Sequence, residues 1–182
     1  MGSYYYLMAQ LPYLIYEQKP PMSSIEFKDT AKRLMAPCDA AVFENLSLNC
    51  SGKSECDFVR KWKEWDNNLR LNLAKQRVIK SKFEKSFSEP PLTHHDAAAA
   101  AAKAVDEHSP LEAEYLLDKA RWHAIEEIAG DDYFHKNSAY AYYLKLLLME
   151  RKQAFDTDKG FAEYKSLYAS IVESAQKTGE SI

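Results

Sequence analysis

Residues 109–155 repeat apolar side chains on a helical period through two long stretches, with a polar turn between them. Ser109, Pro110 and Glu112 stand where a capping serine, a first-position proline and a third-position glutamate belong in a capping box. Leu111, Tyr115, Leu116, Ala120, Trp122 and Ile125 follow at three- and four-residue steps, and Gly130 offers a left-handed stop. Asn137 or Ser138 is the expected cap of the next helix, Ala139-Tyr140-Ala141-Tyr142-Tyr143-Leu144-Lys145-Leu146-Leu147-Leu148-Met149-Glu150-Arg151. That run is apolar nearly all round, so it must be buried on more than one side. It is the expected core element.

The rest of the chain fits an all-α protein. Five glycines in 182 residues are few, and no strand–glycine–helix repeat is present. With 46% hydrophobic residues the chain is far from a disordered composition, and a net charge of −3 gives no electrostatic case for nucleic acid as the main partner. Cys38, Cys50 and Cys56 have no zinc-ligand spacing and read as reduced thiols. The first lysine is Lys19 and Pro12 interrupts the early apolar run, so a signal peptide is not expected. Residues 140–149 are too few to cross a membrane and carry Lys145. A cytoplasmic location is expected.

Taken in order, residues 4–15 are an aromatic arm, read as a helix or extended segment on the core. Tyr4, Tyr5 and Tyr6 suit an interface, although one or two rings in the core and one at the edge explains them as well. Ser23-Ser24-Ile25-Glu26 is a second capping box, with Ile25, Phe27, Ala31 and Leu34 on the following face and Pro37 as the stop. Asp39 is expected to cap a short helix through Ala40, Val42, Phe43 and Leu46. Asp57 opens a long helix along Phe58, Trp62, Trp65, Leu69, Leu73, Arg77 and Lys80. Its basic end (Lys75, Arg77, Lys80, Lys82, Lys85) suits the helix C-terminal dipole better than RNA. The alanines of 97–102 after Asp96 should be helical but have little side chain to bury; with Pro90 and Pro91 they mark residues 86–108 as a linker or crossover between an N-terminal helical unit, 1–85, and a C-terminal one, 109–182, unless the whole packs as one domain. Thr157 or Asp158 is the expected cap of a last helix with Phe161, Tyr164, Leu167, Tyr168, Ile171 and Val172 on one face, fraying from Lys177.

No P-loop, GxSxG, HExxH, EF-hand loop or paired CxxC occurs. His94-His95-Asp96 reads as polar linker before a metal site, and His123 with Glu127 as a surface pair. A di-iron helical enzyme needs two Glu-x-x-His pairs, and the chain has none. No catalytic residue, cofactor, metal or small-molecule substrate is therefore expected. Asp118, Arg121 and Arg151 are the charges expected to act structurally, by tying the hairpin helices together; independent solvation of each is the alternative.

The stretch Ser109-Pro110-Leu111-Glu112-Ala113-Glu114-Tyr115-Leu116-Leu117-Asp118-Lys119-Ala120-Arg121-Trp122 resembles a helix of the C subunit of V/A-type ATPases, the d subunit of eukaryotic enzymes. The likeness covers 111–152, but Tyr and Leu stand on the second helix where that family has Asp and Asn. Over nearly its whole length the chain resembles the smaller bacterial DUF2764 family. The residues that carry this are Ser3-Tyr4-Tyr5-Tyr6-Leu7, Gln10-Leu11-Pro12, Lys19-Pro20-Pro21-Met22-Ser23, Leu69-Arg70-Leu71-Asn72-Leu73-Ala74 and Phe161-Ala162-Glu163-Tyr164-Lys165-Ser166-Leu167-Tyr168. Members of that family are encoded among V-type ATPase subunits, in the place of a C subunit. The resemblance implies a shortened C-like subunit of two packed helical bundle units, a socket that joins the central stalk to the proteolipid rotor ring. It implies attachment to the inner membrane through that complex, and ion transport without bond chemistry. Tyr4, Tyr5, Tyr6, Tyr164 and Tyr168 are the expected partner contacts. A free-standing helical adaptor, unrelated to the ATPase, is the alternative.

Overall fold

The computed structural model describes residues 4–49, 55–81, 94–155 and 157–179. Among them the secondary structure is helical, with no strand. The chain forms two compact units, Met1–Glu150 and Arg151–Ile182. The division expected at 86–108 is not the one the packing makes. Cys50 and residues 82–93, including the Pro90-Pro91 break and the end of the basic stretch, lie outside the described residues.

In the first unit, α1 (Tyr5–Ala9) is a single turn that buries Leu7 and Met8. α2 (Ser24–Leu34) starts with the expected capping box: Ser23 Oγ accepts from the Glu26 N–H, and the Glu26 carboxylate accepts from the Ser23 N–H at 2.9 Å. Its inward face differs from the expected one. Ser24, Phe27, Ala31 and Met35 are buried, whereas Ile25 is 72% exposed because it sits roughly 200° around the helix from Phe27. Ser24 is inside because its N–H and hydroxyl both donate to the Glu150 carboxylate, at 2.6 and 2.8 Å.

Pro37 does not merely end α2; it is the first residue of α3 (Pro37–Ala40), followed by α4 (Val42–Asn45). Asp39 lies within α3 and caps nothing. Its carboxylate accepts from the Tyr4 hydroxyl at 2.5 Å and from Lys136 Nζ at 3.0 Å, and its carbonyl accepts from the Tyr140 hydroxyl at 3.0 Å. One residue thereby fastens the N-terminal arm and the start of the core helix to α3.

α5 (Asp57–Ser81) buries Phe58, Trp62, Trp65, Leu69 and Leu73 as the periodicity predicts, together with Asp66, Asn68 and Asn72. α6 (His95–Asp106) is helical, as expected of its alanine run, but it packs one face inward where little burial was expected. Ala97, Ala101 and Ala104 are buried where α6 packs along α5 and α7. Small side chains allow this packing: a methyl group lets neighbouring backbones approach where a leucine would hold them apart. The Trp65 indole N–H donates to Asp96 at 2.6 Å and fixes the start of α6 against α5.

α7 (Pro110–Ala129) and α8 (Lys136–Gln153) are the expected hairpin, but α8 begins at Lys136, so Asn137 and Ser138 lie inside the helix they were expected to cap. Ser109 accepts from the Glu112 N–H at 3.4 Å, and Gly130 closes α7 at φ +77°, where a side chain would be strained. α8 is buried from Ser138 to Leu144 and again at Leu146, Leu148 and Met149. Tyr140, Tyr142 and Tyr143 pack against Phe27 and Phe43, with ring centroids 5.1 to 6.1 Å apart. Each fully buried leucine in such a core stabilises it by about 1.5–3 kcal/mol.

In the second unit, α9 (Thr157–Gly179) continues beyond the expected fraying point at Lys177. Phe161, Tyr164, Leu167, Tyr168, Ile171 and Val172 are exposed along it. No helix among the described residues is long and apolar enough to cross a membrane.

Candidate interaction surfaces and buried ion cluster

Three groups of side chains depart from an ordinary helical core: a buried charge cluster, the tyrosines of the N-terminal arm and the aromatic face of α9. The cluster begins with Asp118, one turn before Arg121 on α7. Arg121 Nη1 donates to Asp118 at 2.8 Å, and its Nε donates to Asp66 of α5 at 3.3 Å. All three side chains are buried, Asp118 completely. Arg70 Nε reaches the other Asp66 oxygen at 2.6 Å and also bonds Asn49 near the surface. Two carboxylates thus meet two guanidinium groups, and charge balance makes the burial tolerable.

Arg121 joins α7 to α5 through Asp66, and Arg151 lies over the Phe155 ring in the second unit, 5.5 Å from its centroid. An α7–α8 link is made by Lys145, whose ammonium donates to Glu126 at 2.6 Å and sits 4.7 Å from the Trp122 ring centroid. The Trp122 N–H donates to the same Glu126 oxygen at 3.0 Å. On the exposed side, His123 meets Glu126 at 3.6 Å where Glu127 was the expected partner.

The three arm tyrosines take different places. Tyr4 is half-buried and spends its hydroxyl on Asp39; burial, then that hydrogen bond, push its pKa up. Burial also tends to raise Asp39. The Tyr4 and Lys136 hydrogen bonds and the Lys136 charge outweigh it and hold the carboxyl below the usual range. Tyr5 packs on Phe134, with centroids 4.7 Å apart, and remains mostly exposed. Tyr6 is 84% exposed. No arm tyrosine enters the core; Tyr16, further along, does, and packs edge-on to Trp122. Tyr13, not singled out from the sequence, is as exposed as Tyr6. On α9, Tyr164 and Tyr168 are 62% and 61% exposed, and their rings stack with centroids 6.3 Å apart.

Cys38 is an exposed free thiol. Among the described residues no group of three His, Cys, Asp or Glu is placed to hold a metal ion. Asp96, in the His94-His95-Asp96 run, is engaged by Trp65.

These features define an all-α protein whose charged and aromatic groups hold helices together or face outward. Residues 100–175 match the model of the family described as a protein of unknown function, DUF2764. The match takes in the end of α6, the whole α7–α8 hairpin and most of α9. Phe161-Ala162-Glu163-Tyr164-Lys165-Ser166-Leu167-Tyr168 falls within it; the other stretches that carry the resemblance lie before it. No curated protein and no solved structure matches the chain.

Proposed function

We propose that this protein is a non-catalytic subunit of a V-type ATPase, a shortened C-like element that couples the central stalk to the proteolipid rotor ring. The observation that carries the reading is where the DUF2764 match falls: over the hairpin whose sequence resembles the C subunit, and over the aromatic face of α9. A coupling subunit needs rigid helices and side chains for its neighbours to grip. The buried α8 and the Asp66–Arg121–Asp118 cluster supply the first, and exposed Tyr164, Tyr168 and Phe161 supply the second. Tyr5 and Tyr6 are further contact candidates, whereas Tyr4 serves the fold. Such a subunit is peripheral to the inner membrane through its complex.

The test is a tagged pull-down from the protein's own cells in mild detergent, read by mass spectrometry. Ring or central-stalk subunits at near-stoichiometric levels are expected. Recovery of the protein alone, with the assembled ATPase present in the same extract, would overturn the reading in favour of a free-standing adaptor.

A further inference from the structure

A cleft of about 200 Å³ opens between the N-terminal arm and the α7–α8 hairpin. Its floor is apolar: Met8 and Leu14 from the arm side, Ala129 from the end of α7, and Ala141 from α8. The Glu126–Lys145 pair also lines it, with both charges spent on each other and on Trp122. Asp131 lines it too, exposed, and among the described residues its carboxylate has no hydrogen-bond or ion-pair partner. So do Tyr13 and Tyr133, 86% and 52% exposed.

A second source of negative potential lies at the same place. α7 ends at Ala129, and its last turn carries no basic residue to complement the helix C-terminus. Gly130 turns the chain away from the helix axis at φ +77°, which sets Asp131 just past that terminus. Helix dipole, Asp131 and two tyrosine faces all favour one visitor: a cation, and a guanidinium above an ammonium because it stacks on aromatic rings. The apolar floor favours a different group beside it. The volume suits a single large side chain: an apolar cavity of about 150 Å³ holds a benzene ring, while small-molecule pockets run to about 300–1,000 Å³.

We propose that this cleft docks a segment of a partner protein that inserts a large apolar side chain and lays a neighbouring arginine against Asp131, Tyr13 and Tyr133. The inserted residue displaces water from the floor, and the arginine fixes direction along the groove. This docking does not depend on the ATPase reading.

The test uses the full chain, labelled with nitrogen-15 and titrated with blocked dipeptides. Acetyl-Phe-Arg-amide is expected to shift the amides of Ala129, Gly130, Asp131 and Tyr133 saturably. Replacing Phe by Gly is expected to weaken binding by about tenfold, the value of one buried apolar side chain. Replacing Arg by Glu, or Asp131→Asn in the protein, is expected to weaken it by up to about fivefold, as for an exposed ion pair. Ala129→Leu, which fills the floor from a partly exposed position, should abolish the shifts; acetyl-Phe-Arg-amide binding to that variant unchanged would place the site elsewhere. Absence of saturable shifts, or equal binding of the Arg and Glu dipeptides, would overturn the proposal. Phenethylamine binding as tightly as the dipeptide would also overturn it, by making a small aromatic amine the ligand.

Discussion

Arg121 is hydrogen-bonded to both Asp118 and Asp66 in the interior. Replacing it with methionine preserves much of the volume but leaves Asp118 without that guanidinium, so Arg121→Met is expected to cost about 3–5 kcal/mol. A urea denaturation midpoint measures this directly; a loss below about 1 kcal/mol would mean the cluster is not the anchor described here. Asp39 gives a pH-dependent counterpart. Its folded pKa lies below the ordinary value of 3.8, so it contributes stability above that value and loses it as pH falls through the folded pKa. Asp39→Asn should flatten the acid limb of the stability profile below about pH 4. An unchanged acid limb would remove Asp39 from the account. Tyr142 acts at the other extreme. Burial, with Tyr133 adding to it, pushes its pKa up to about 12, so stability from this group is full below the ordinary value near 10 and fades as pH rises towards 12. The sequence marked Asp118 and Arg121 as structural because both sit on a helix with core neighbours. It did not mark Asp66, which is 55 residues from Arg121. The available signal was local: Asp66 falls four residues after Trp62 and three before Leu69, on the buried stripe of α5.

At the scale of elements, α6 shows what a hydrophobic pattern leaves unsaid. An alanine run has high helix propensity and almost no side-chain contrast, so its sequence resembles a linker as readily as a packed helix. The difference lies in its neighbours, α5 and α7, against which α6 packs with Ala97 and Ala101 buried. Ala101→Leu should therefore overpack the contact with α5 and α7 and cost about 1–3 kcal/mol, while Ala99→Leu, at an exposed position of the same helix, leaves the midpoint unchanged. Equal effects at the two positions would return α6 to the status of a crossover. The hairpin was legible for the opposite reason. Ser109, the cap of α7, is a chemical signal that acts locally, and α8 is so apolar that no solvated placement was open to it, although its start at Lys136 was not read from Asn137 and Ser138. The inward face of α2 was misread because Ile25 is apolar yet lies off the stripe, while polar Ser24 lies on it to meet Glu150.

For the molecule as a whole, the fold class followed from composition and period, but the division into units did not. The boundary falls after Glu150, inside the span of α8, where no proline or glycine marks it. Helical continuity and compactness are set by different contacts, and sequence shows the first more directly than the second. The consequence for function lies in α9. Its aromatic residues face solvent. Removing those rings takes little packing away from the folded chain, so Tyr164→Ser combined with Tyr168→Ser is expected to leave the thermal midpoint of the whole protein within about 2 °C of the parent. If α9 grips an ATPase partner, the same double variant should lose most of the stalk or ring subunits recovered with the parent in detergent, because paired tyrosines at the centre of an interface carry a large share of its energy. Parent-like recovery by the variant would remove the α9 face from the coupling role and leave the arm tyrosines, Tyr5 and Tyr6, as the contacts to test. A midpoint lowered by more than about 5 °C would show instead that the rings support the fold, and their exposure would no longer argue for a partner.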